Sequence, residues 1–132
     1  VNNSRFALAH GFSPRARQEL MTDDPIGTSM VDEDFSIVNF MLKYYKLGFG
    51  RGTEYANELI RSGVITRGEG IAIAEEFDGR CSDEYIIEFC HYIRITIPEF
   101  WATVRRFADP RLFDQSGERP VPRFRIGEGV TG

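Results

Sequence analysis

The residues best suited to chemistry are three cations around one glycine-rich turn. Lys43 and Lys46 are the only lysines in the chain, and Arg51 follows them in the turn Gly48-Phe49-Gly50-Arg51-Gly52. A second helical pattern begins at this turn, where the first backbone N–H groups of a helix have no partner within the helix. Cations and helix N-termini both favour bound anions. The spacing therefore predicts an anion-binding site at the turn.

A mostly apolar helix must position the two lysines. From Phe35 to Leu47 the polar exceptions are Ser36, Asn39, Lys43 and Lys46. Their spacing places these four residues on one stripe of a helix with about 3.6 residues per turn. A helix that is apolar elsewhere is mostly buried. The stripe is therefore either its only hydrated face or the lining of a polar cleft.

The same residues also have a purely structural interpretation. Glycine commonly ends a helix because the position after the last turn favours a positive φ, and Gly48 or Gly50 could serve only that purpose. The Gly-x-Gly-x-Gly string follows a helical pattern and not a strand, so it does not match a dinucleotide-binding fingerprint. The two lysines could form a solvated face. Residue chemistry alone leaves both interpretations open.

Composition restricts the class of protein. The 132 residues are 42% hydrophobic and 13% aromatic, which is enough for the core of one modest domain. The net charge of −4 argues against a general binder of nucleic acid or anionic membranes. Two cysteines, Cys81 and Cys90, match no metal-binding spacing and are too few for a disulfide scaffold. The sequence shows no signal peptide and no apolar run of membrane-spanning length, so we expect a reduced, cytoplasmic setting.

The remaining patterns predict an all-α fold of about five short helices in antiparallel pairs. Residues 1–31 are interpreted as an irregular leader or a torn domain edge, with a short helix over residues 14–21. Residues 32–109 form the helical domain, and residues 110–132 form an extended tail anchored by Phe124 and Ile126.

Helix starts are marked by capping signals. Thr66 with Glu69 and Thr96 with Glu99 form two capping boxes, and Ser82 is predicted to cap the helix between them. Arg67 is required by neither cap nor core, so it is a secondary site candidate. The expected core faces are Tyr55, Ala56, Leu59 and Ile60; Ile71, Ala74 and Phe77; Tyr85, Ile86, Phe89, Cys90 and Ile93; and Ile97, Phe100, Trp101, Val104 and Phe107.

Two other groups of reactive residue types are expected to be structural. Cys90 and His91 are adjacent on a helix and point about 100° apart, so we expect Cys90 in the core and His91 in solvent. The acids at residues 32–34 suit the N-terminus of a helix better than a Mg²⁺ site. His10, the only other histidine, lies in the leader, so a histidine-based metal site is not expected.

Several motifs occur together between Tyr44 and Gly79. A lysine, Lys43, stands directly before this segment. The motifs within it are Lys46 with the glycine turn Gly48 to Arg51, the pair Thr53 and Glu54, the turn Ile60 to Gly63, the start of a helix at Thr66 to Glu69, and the helix end Phe77-Asp78-Gly79. In this combination the segment resembles the C-terminal part of the N-acetyl sugar amidotransferases. These are ATP-dependent enzymes of bacterial surface-polysaccharide synthesis in the PP-loop ATP pyrophosphatase group. One departure is Glu54, where the family usually has Asp.

The resemblance implies an enzyme that converts an acetamido group of a nucleotide-linked sugar to an acetamidino group. In such an enzyme ATP, with Mg²⁺, activates the acetamido oxygen, and ammonia from a glutaminase partner displaces AMP. The resemblance identifies no catalytic base. The residues that it and the charge pattern assign to substrate or anion binding are Lys43, Lys46, Gly48, Gly50, Arg51, Thr53, Glu54 and Arg67.

The nucleotide site of that group uses a Ser-Gly-Gly-x-Asp-Ser loop, which occurs nowhere in these 132 residues. The chain also begins at Val1 rather than Met and ends at Gly132. We therefore expect the terminal third of a longer enzyme, or a subunit or relic of one, whose partner is the PP-loop domain. Alone it should require no cofactor and should not hydrolyse ATP.

A competing hypothesis is a non-catalytic helical module that docks on another protein. Phe100, Trp101, Phe107 and Phe113 are a large aromatic load for so small a domain. They could exceed what one core covers and leave a docking patch. The two hypotheses differ at the three cations, which an enzyme of this kind requires to converge on an open cleft.

Overall fold

The computed structural model describes residues 2–13, 25 and 34–130. Six α-helices occur in these ranges, and the all-α prediction is confirmed. The five helices expected between residues 35 and 107 are all present. The helices are α1 Asn2–Ala9, α2 Phe35–Leu47, α3 Arg51–Arg61, α4 Arg67–Phe77, α5 Asp83–Ile93 and α6 Ile97–Phe107.

Helix α1 lies in the leader, residues 1–31. The sequence predicted a helix only over residues 14–21 of the leader and none over the residues of α1. The amide N–H of His10 donates to the carbonyl oxygens of Phe6 and Ala7, and the His10 ring stacks on the Phe6 ring at 4.0 Å. A helix of only two turns has a weak sequence signal, because so short a segment is marginal without tertiary contacts. The helix predicted over residues 14–21 and two of the three acids before α2 lie outside the described residues.

The main core forms where α2 packs against α5 and α6. Val38 and Met41 of α2 meet Cys90 of α5 and Trp101 of α6, and all four side chains are buried. Two residues expected in this core are instead exposed: Ile93 and Phe107 show 41% and 65% of their surface. Each is the last residue of its helix, so it lies at the edge of the packed region.

Helices α3 and α4 form the second packing unit. Ala56 and Leu59 of α3 and Ala74 of α4 are buried, as the apolar periodicity predicted. Phe77, the last residue of α4, is only partly buried. The turn after α4 reaches back to the start of α3, as described below.

The tail contains two short antiparallel strand pairs. Strand β1, Phe113–Asp114, pairs with β2, Val121–Pro122, and β3, Phe124–Arg125, pairs with β4, Gly129–Val130. Phe113 is fully buried, and Phe124 contacts both its ring and that of Tyr44. Phe124 therefore anchors the tail as predicted. The division into leader, helical domain and tail stays a prediction.

Within the described residues, no helix combines the length and the apolar character needed to cross a membrane.

Candidate functional site

Two of the three predicted cations meet on one carboxylate. The Nζ of Lys43, from α2, donates to Oε1 of Glu54, and Nη1 of Arg51 lies 3.5 Å from Oε2 of the same residue. Arg51 and Glu54 lie on the first turn of α3, one helical turn apart. All three side chains are partly buried. We call Lys43, Arg51 and Glu54 the ion cluster.

Aromatic rings hold both cations of the ion cluster in place. The Nζ of Lys43 lies 4.9 Å from the centroid of the Phe49 ring, and the guanidinium carbon of Arg51 lies 5.3 Å from that of Phe40. Cations over aromatic faces gain about 0.5–1 kcal/mol at exposed sites. The glycine turn thus presents two positive groups whose positions are fixed by helix geometry, a shared carboxylate and two rings.

Lys46 lies outside the ion cluster. It is exposed, and in the described part of the chain it forms no ion pair. With Asn39 and Lys43 it lines a groove of about 550 Å³ between α2, α5 and α6. Three of the four residues of the α2 stripe therefore line a cleft, but this is not the polar cleft that one of the two interpretations expected. The walls of that cleft are apolar rather than polar, and Ser36 of the stripe is buried.

Both candidate glycines have structural roles. Gly48 ends α2 in the left-handed conformation, with φ at 80°, and its N–H donates to the Tyr44 carbonyl oxygen at 2.8 Å. Gly50 precedes α3 with an extended backbone, where a Cβ atom would lie 2.9 Å from Oδ1 of Asp78. The helix-ending interpretation of Gly48 is confirmed, and Gly50 is needed for close approach to Asp78.

Asp78 occupies the N-terminus of α3. Its Oδ1 accepts the backbone N–H of Thr53 at 2.9 Å, and its Oδ2 accepts the Thr53 hydroxyl at 2.5 Å. A carboxylate at this position satisfies a helix-terminal N–H and is favoured by the macrodipole. The sequence predicted for Asp78 only the end of a helix. Its place in Phe77-Asp78-Gly79, one of the motifs on which the resemblance rests, was the one signal that could have identified it.

The Asp78 carboxylate takes the Thr53 N–H, one of the helix-start N–H groups that the sequence offered to an anion, and it adds a negative charge there. An anion at this turn is therefore better bound by the side chains of the cations. The anion-binding role of the eight candidate residues stays a prediction.

Arg67 is exposed at the start of α4, away from the ion cluster. Its Nη2 donates to the Gly127 carbonyl oxygen at 3.1 Å, which fastens the last turn of the tail to α4. Arg67 and Thr53 line the same small pocket of about 180 Å³.

Both predicted capping boxes are present. Thr66 and Glu69 form the one at the start of α4, where the Thr66 N–H and hydroxyl lower the pKa of Glu69. The second capping box, Thr96 with Glu99, is also confirmed.

The thiols and histidines form no reactive arrangement among the described residues. Cys90 is buried in the core, as predicted, and burial raises the pKa of its thiol. His91 is exposed on the same helix, as predicted. Ser82 precedes α5 as expected, although its side chain forms no capping hydrogen bond. The described ranges contain no group of three residues that could hold a metal ion.

Of the four aromatic residues named in the docking hypothesis, three lie in the core and one lies at the surface. Phe100 and Trp101 are buried, as their place on a core face predicted, and Phe113 is buried as well, so these three do not form the docking patch of the competing hypothesis. Phe107 alone of the four is exposed. The reason is that the rings stack edge-to-face in one continuous cluster, in which Tyr45 contacts both Trp101 and Phe113.

Comparison with known proteins identifies the family. Residues 27–127 match the family model described as "LPS biosynthesis protein WbpG-like, C-terminal domain". The matched range includes helices α2 to α6, all eight candidate site residues and Asp78. No curated protein matches the chain. The chain therefore belongs to the WbpG-like family of LPS biosynthesis proteins and represents its C-terminal domain.

Proposed function

We propose that this domain is the C-terminal helical part of an ATP-dependent sugar amidotransferase. The proposed enzyme replaces the oxygen of an acetamido group on a nucleotide-linked sugar with nitrogen, using ammonia from a glutaminase partner. Two lines support the proposal: the motif resemblance between residues 44 and 79, and the membership of the chain in a family of LPS biosynthesis proteins. Because ATP and nucleotide sugars are cytoplasmic metabolites, the reaction would take place in the cytoplasm.

The observation that carries the proposal is the ion cluster. Two cations contact one carboxylate at the glycine turn, and Lys46 lies one turn further along α2. A lysine ammonium has three donors, and Glu54 is the one described carboxylate that pairs with Lys43. A diphosphate offers several acceptor oxygens to such donors. We assign the cluster to binding the phosphates of the nucleotide sugar.

The residues present do not fit ATP with Mg²⁺. The sequence contains no Ser-Gly-Gly-x-Asp-Ser loop, and the helix N-terminus at the glycine turn is occupied by Asp78. The described residues also provide no cluster of carboxylates for a metal ion. In the proposed enzyme ATP and Mg²⁺ therefore belong to the PP-loop domain, and this domain contributes substrate binding.

Binding is tested by NMR titration of the full chain with UDP-N-acetylglucosamine. We expect the backbone signals of residues 43–54 to shift, and we expect N-acetylglucosamine without phosphates to leave them in place. Arg51→Ala should abolish the shifts, whereas Arg61→Ala, at the other end of α3, should preserve them. Unmoved signals at residues 43–54 with the nucleotide sugar would overturn this assignment.

The reaction is tested in the protein that carries this domain together with a PP-loop domain. Incubation with ATP, ¹⁵N-ammonia and UDP-N-acetylglucosamine should place the label in the sugar, as detected by mass spectrometry. Omission of ATP should prevent labelling. ATP consumption without nitrogen transfer to any acetamido sugar would exclude the amidotransferase reaction.

The second candidate function is a non-catalytic docking module. It is favoured by one observation, the exposed Phe107 at the edge of the apolar groove. The two functions are distinguished by the ion cluster: a docking module alone gives no reason for residues 43–54 to respond to a nucleotide sugar.

A further inference from the structure

The groove between α2, α5 and α6 has an apolar floor. Phe100 and Val104 of α6 are buried beneath it, and Leu42 of α2 and Phe89 of α5 form its sides. Its volume of about 550 Å³ lies in the range of specific binding sites in proteins. Three helices that belong to one core build its walls, so the groove is a fixed part of the domain.

The edge of the groove consists of apolar side chains that project into solvent. Leu47, Ile93 and Phe107 line it and are 47%, 41% and 65% exposed. Each is the last residue of its helix. The ends of α2 and α6 lie together, since the Asp109 N–H donates to the Tyr45 carbonyl oxygen, whereas the end of α5 lies toward the start of α2, where Phe89 and Tyr92 contact Phe35. The exposed apolar side chains therefore lie along the opening of the groove. A small molecule inside the groove would leave the outer faces of these side chains in water. A protein surface laid across the opening would cover them together with the floor.

The charged side chains that line the groove are both positive. The described residues that line the groove include Lys43 and Lys46 and no acidic residue. Arg94 directly follows Ile93 and Arg106 directly precedes Phe107, and both arginines are exposed. In the described part of the chain neither arginine forms an ion pair. This concentration of positive charge is unusual for a chain with a net charge of −4.

We propose that the apolar groove is a docking site for an amphipathic helix of a partner protein, with acidic side chains flanking its apolar face. Apolar anchors spaced at helical positions would fill the groove and cover Leu47, Ile93 and Phe107, as in other helix-in-groove complexes. Acidic side chains beside them would meet Lys46, Arg94 and Arg106. Such charges select the partner and its orientation and accelerate the encounter. The inference does not rest on the proposed reaction.

The test uses two synthetic helical peptides with the same leucine face. In one the flanking residues are glutamates, and in the other they are lysines. We expect the full chain to bind the glutamate peptide, with NMR shifts at Leu47, Ile93 and Phe107, and to bind the lysine peptide about tenfold more weakly. Lys46→Glu should reduce this preference. Equal binding of both peptides, or no binding of either, would overturn the proposal.

Phe107→Ser should weaken binding of the glutamate peptide by about thirtyfold, because it replaces a large aromatic side chain that the partner helix covers with a small polar one. Ile87→Ser is the matched control, since Ile87 is an exposed residue of α5 that does not line the groove. Both variants should keep the wild-type circular dichroism. Equal losses in the two variants would argue against the groove.

Two other occupants give distinct outcomes. Dodecyl phosphate, an anionic amphiphile, would displace the glutamate peptide completely if the groove were a lipid site. Self-association of the chain, measured by analytical ultracentrifugation and abolished by Phe107→Ser, would identify a second copy as the occupant. Either result would overturn the assignment to an acidic partner helix.

Discussion

The carboxylate of Asp78 holds the first turn of α3 by accepting two hydrogen bonds from Thr53, one from its backbone N–H and one from its hydroxyl. The two residues are 25 positions apart in the chain. This contact connects the end of α4 to the turn that carries Arg51 and Glu54. The geometry of the ion cluster therefore depends on a residue that does not belong to it.

Replacement of Asp78 should destabilise the domain. Asp78→Ala removes the acceptor of a helix-terminal N–H and of a hydroxyl, and we expect a loss of about 1–3 kcal/mol in the free energy of unfolding, measured by urea denaturation. Thr53→Val should lose part of the same energy. The double variant should then lose less than the sum of the two single losses. Additive losses would show that the two side chains act independently.

Gly79 is predicted to tolerate no side chain. Its φ is +75°, and a Cβ atom would lie 2.5 Å from the Tyr44 ring. Gly63 has a similar φ of +68° with nothing within 4 Å, so it separates backbone strain from the clash. Gly79→Ala should cost about 1–3 kcal/mol more than Gly63→Ala in thermal or urea unfolding. Equal costs would mean that the Tyr44 ring moves aside freely.

Changes at the ion cluster should have opposite effects on anion binding. Arg51→Ala should weaken binding of UDP-N-acetylglucosamine, whereas Glu54→Gln should strengthen it, because a competing carboxylate charge is removed. Isothermal titration calorimetry measures both. Stability should change by less than about 1 kcal/mol in each variant, as for partly exposed ion pairs. A large fall in melting temperature for Arg51→Ala with unchanged binding would instead identify Arg51 as a structural clamp.

Alkaline pH should destabilise the domain through Tyr44. Burial is the main cause that raises the pKa of Tyr44 from 10.0 to about 12, and Tyr45 and Asp78 add to it. The folded state thus prefers the neutral phenol. The stabilisation is complete below pH 10 and is lost as the pH rises through about 12. Tyr44→Phe should flatten the loss of stability in this window, whereas Tyr92→Phe, on an exposed side chain, should not. Chemical denaturation at a series of pH values measures the effect.

Replacement of three phenylalanines by alanine should lower the free energy of unfolding by amounts that follow how deeply each ring is buried. Phe100→Ala should lose about 3–5 kcal/mol, because the ring is buried in the main core. Phe77→Ala should lose less, since that ring is only partly buried. Phe107→Ala should change the unfolding free energy by less than about 0.5 kcal/mol. A cost for Phe77 equal to that for Phe100 would show that the ring is covered in solution.

The helices and their ends could be predicted from the sequence because their signals are local. The capping boxes at Thr66 and Thr96 each lie within four consecutive residues, and the apolar periodicity that placed Cys90 inside spans one helix. Gly48 likewise ends α2 through a hydrogen bond to a residue four positions earlier. Backbone geometry fixes such contacts within a few residues, so the residue types alone determined them.

Only the tertiary structure decided which carboxylates of the chain lie next to the cations. Lys43 pairs with Glu54 across a turn, and Asp78 reaches Thr53 from another helix, so both carboxylates that occupy the turn depend on how α2, α3 and α4 pack. Packing also separated Phe107 from the three other aromatic residues, because the main core ends before the last residue of α6. A sequence states which charges and rings are available. Their partners and their burial depend on distances between helices, which no local pattern contains.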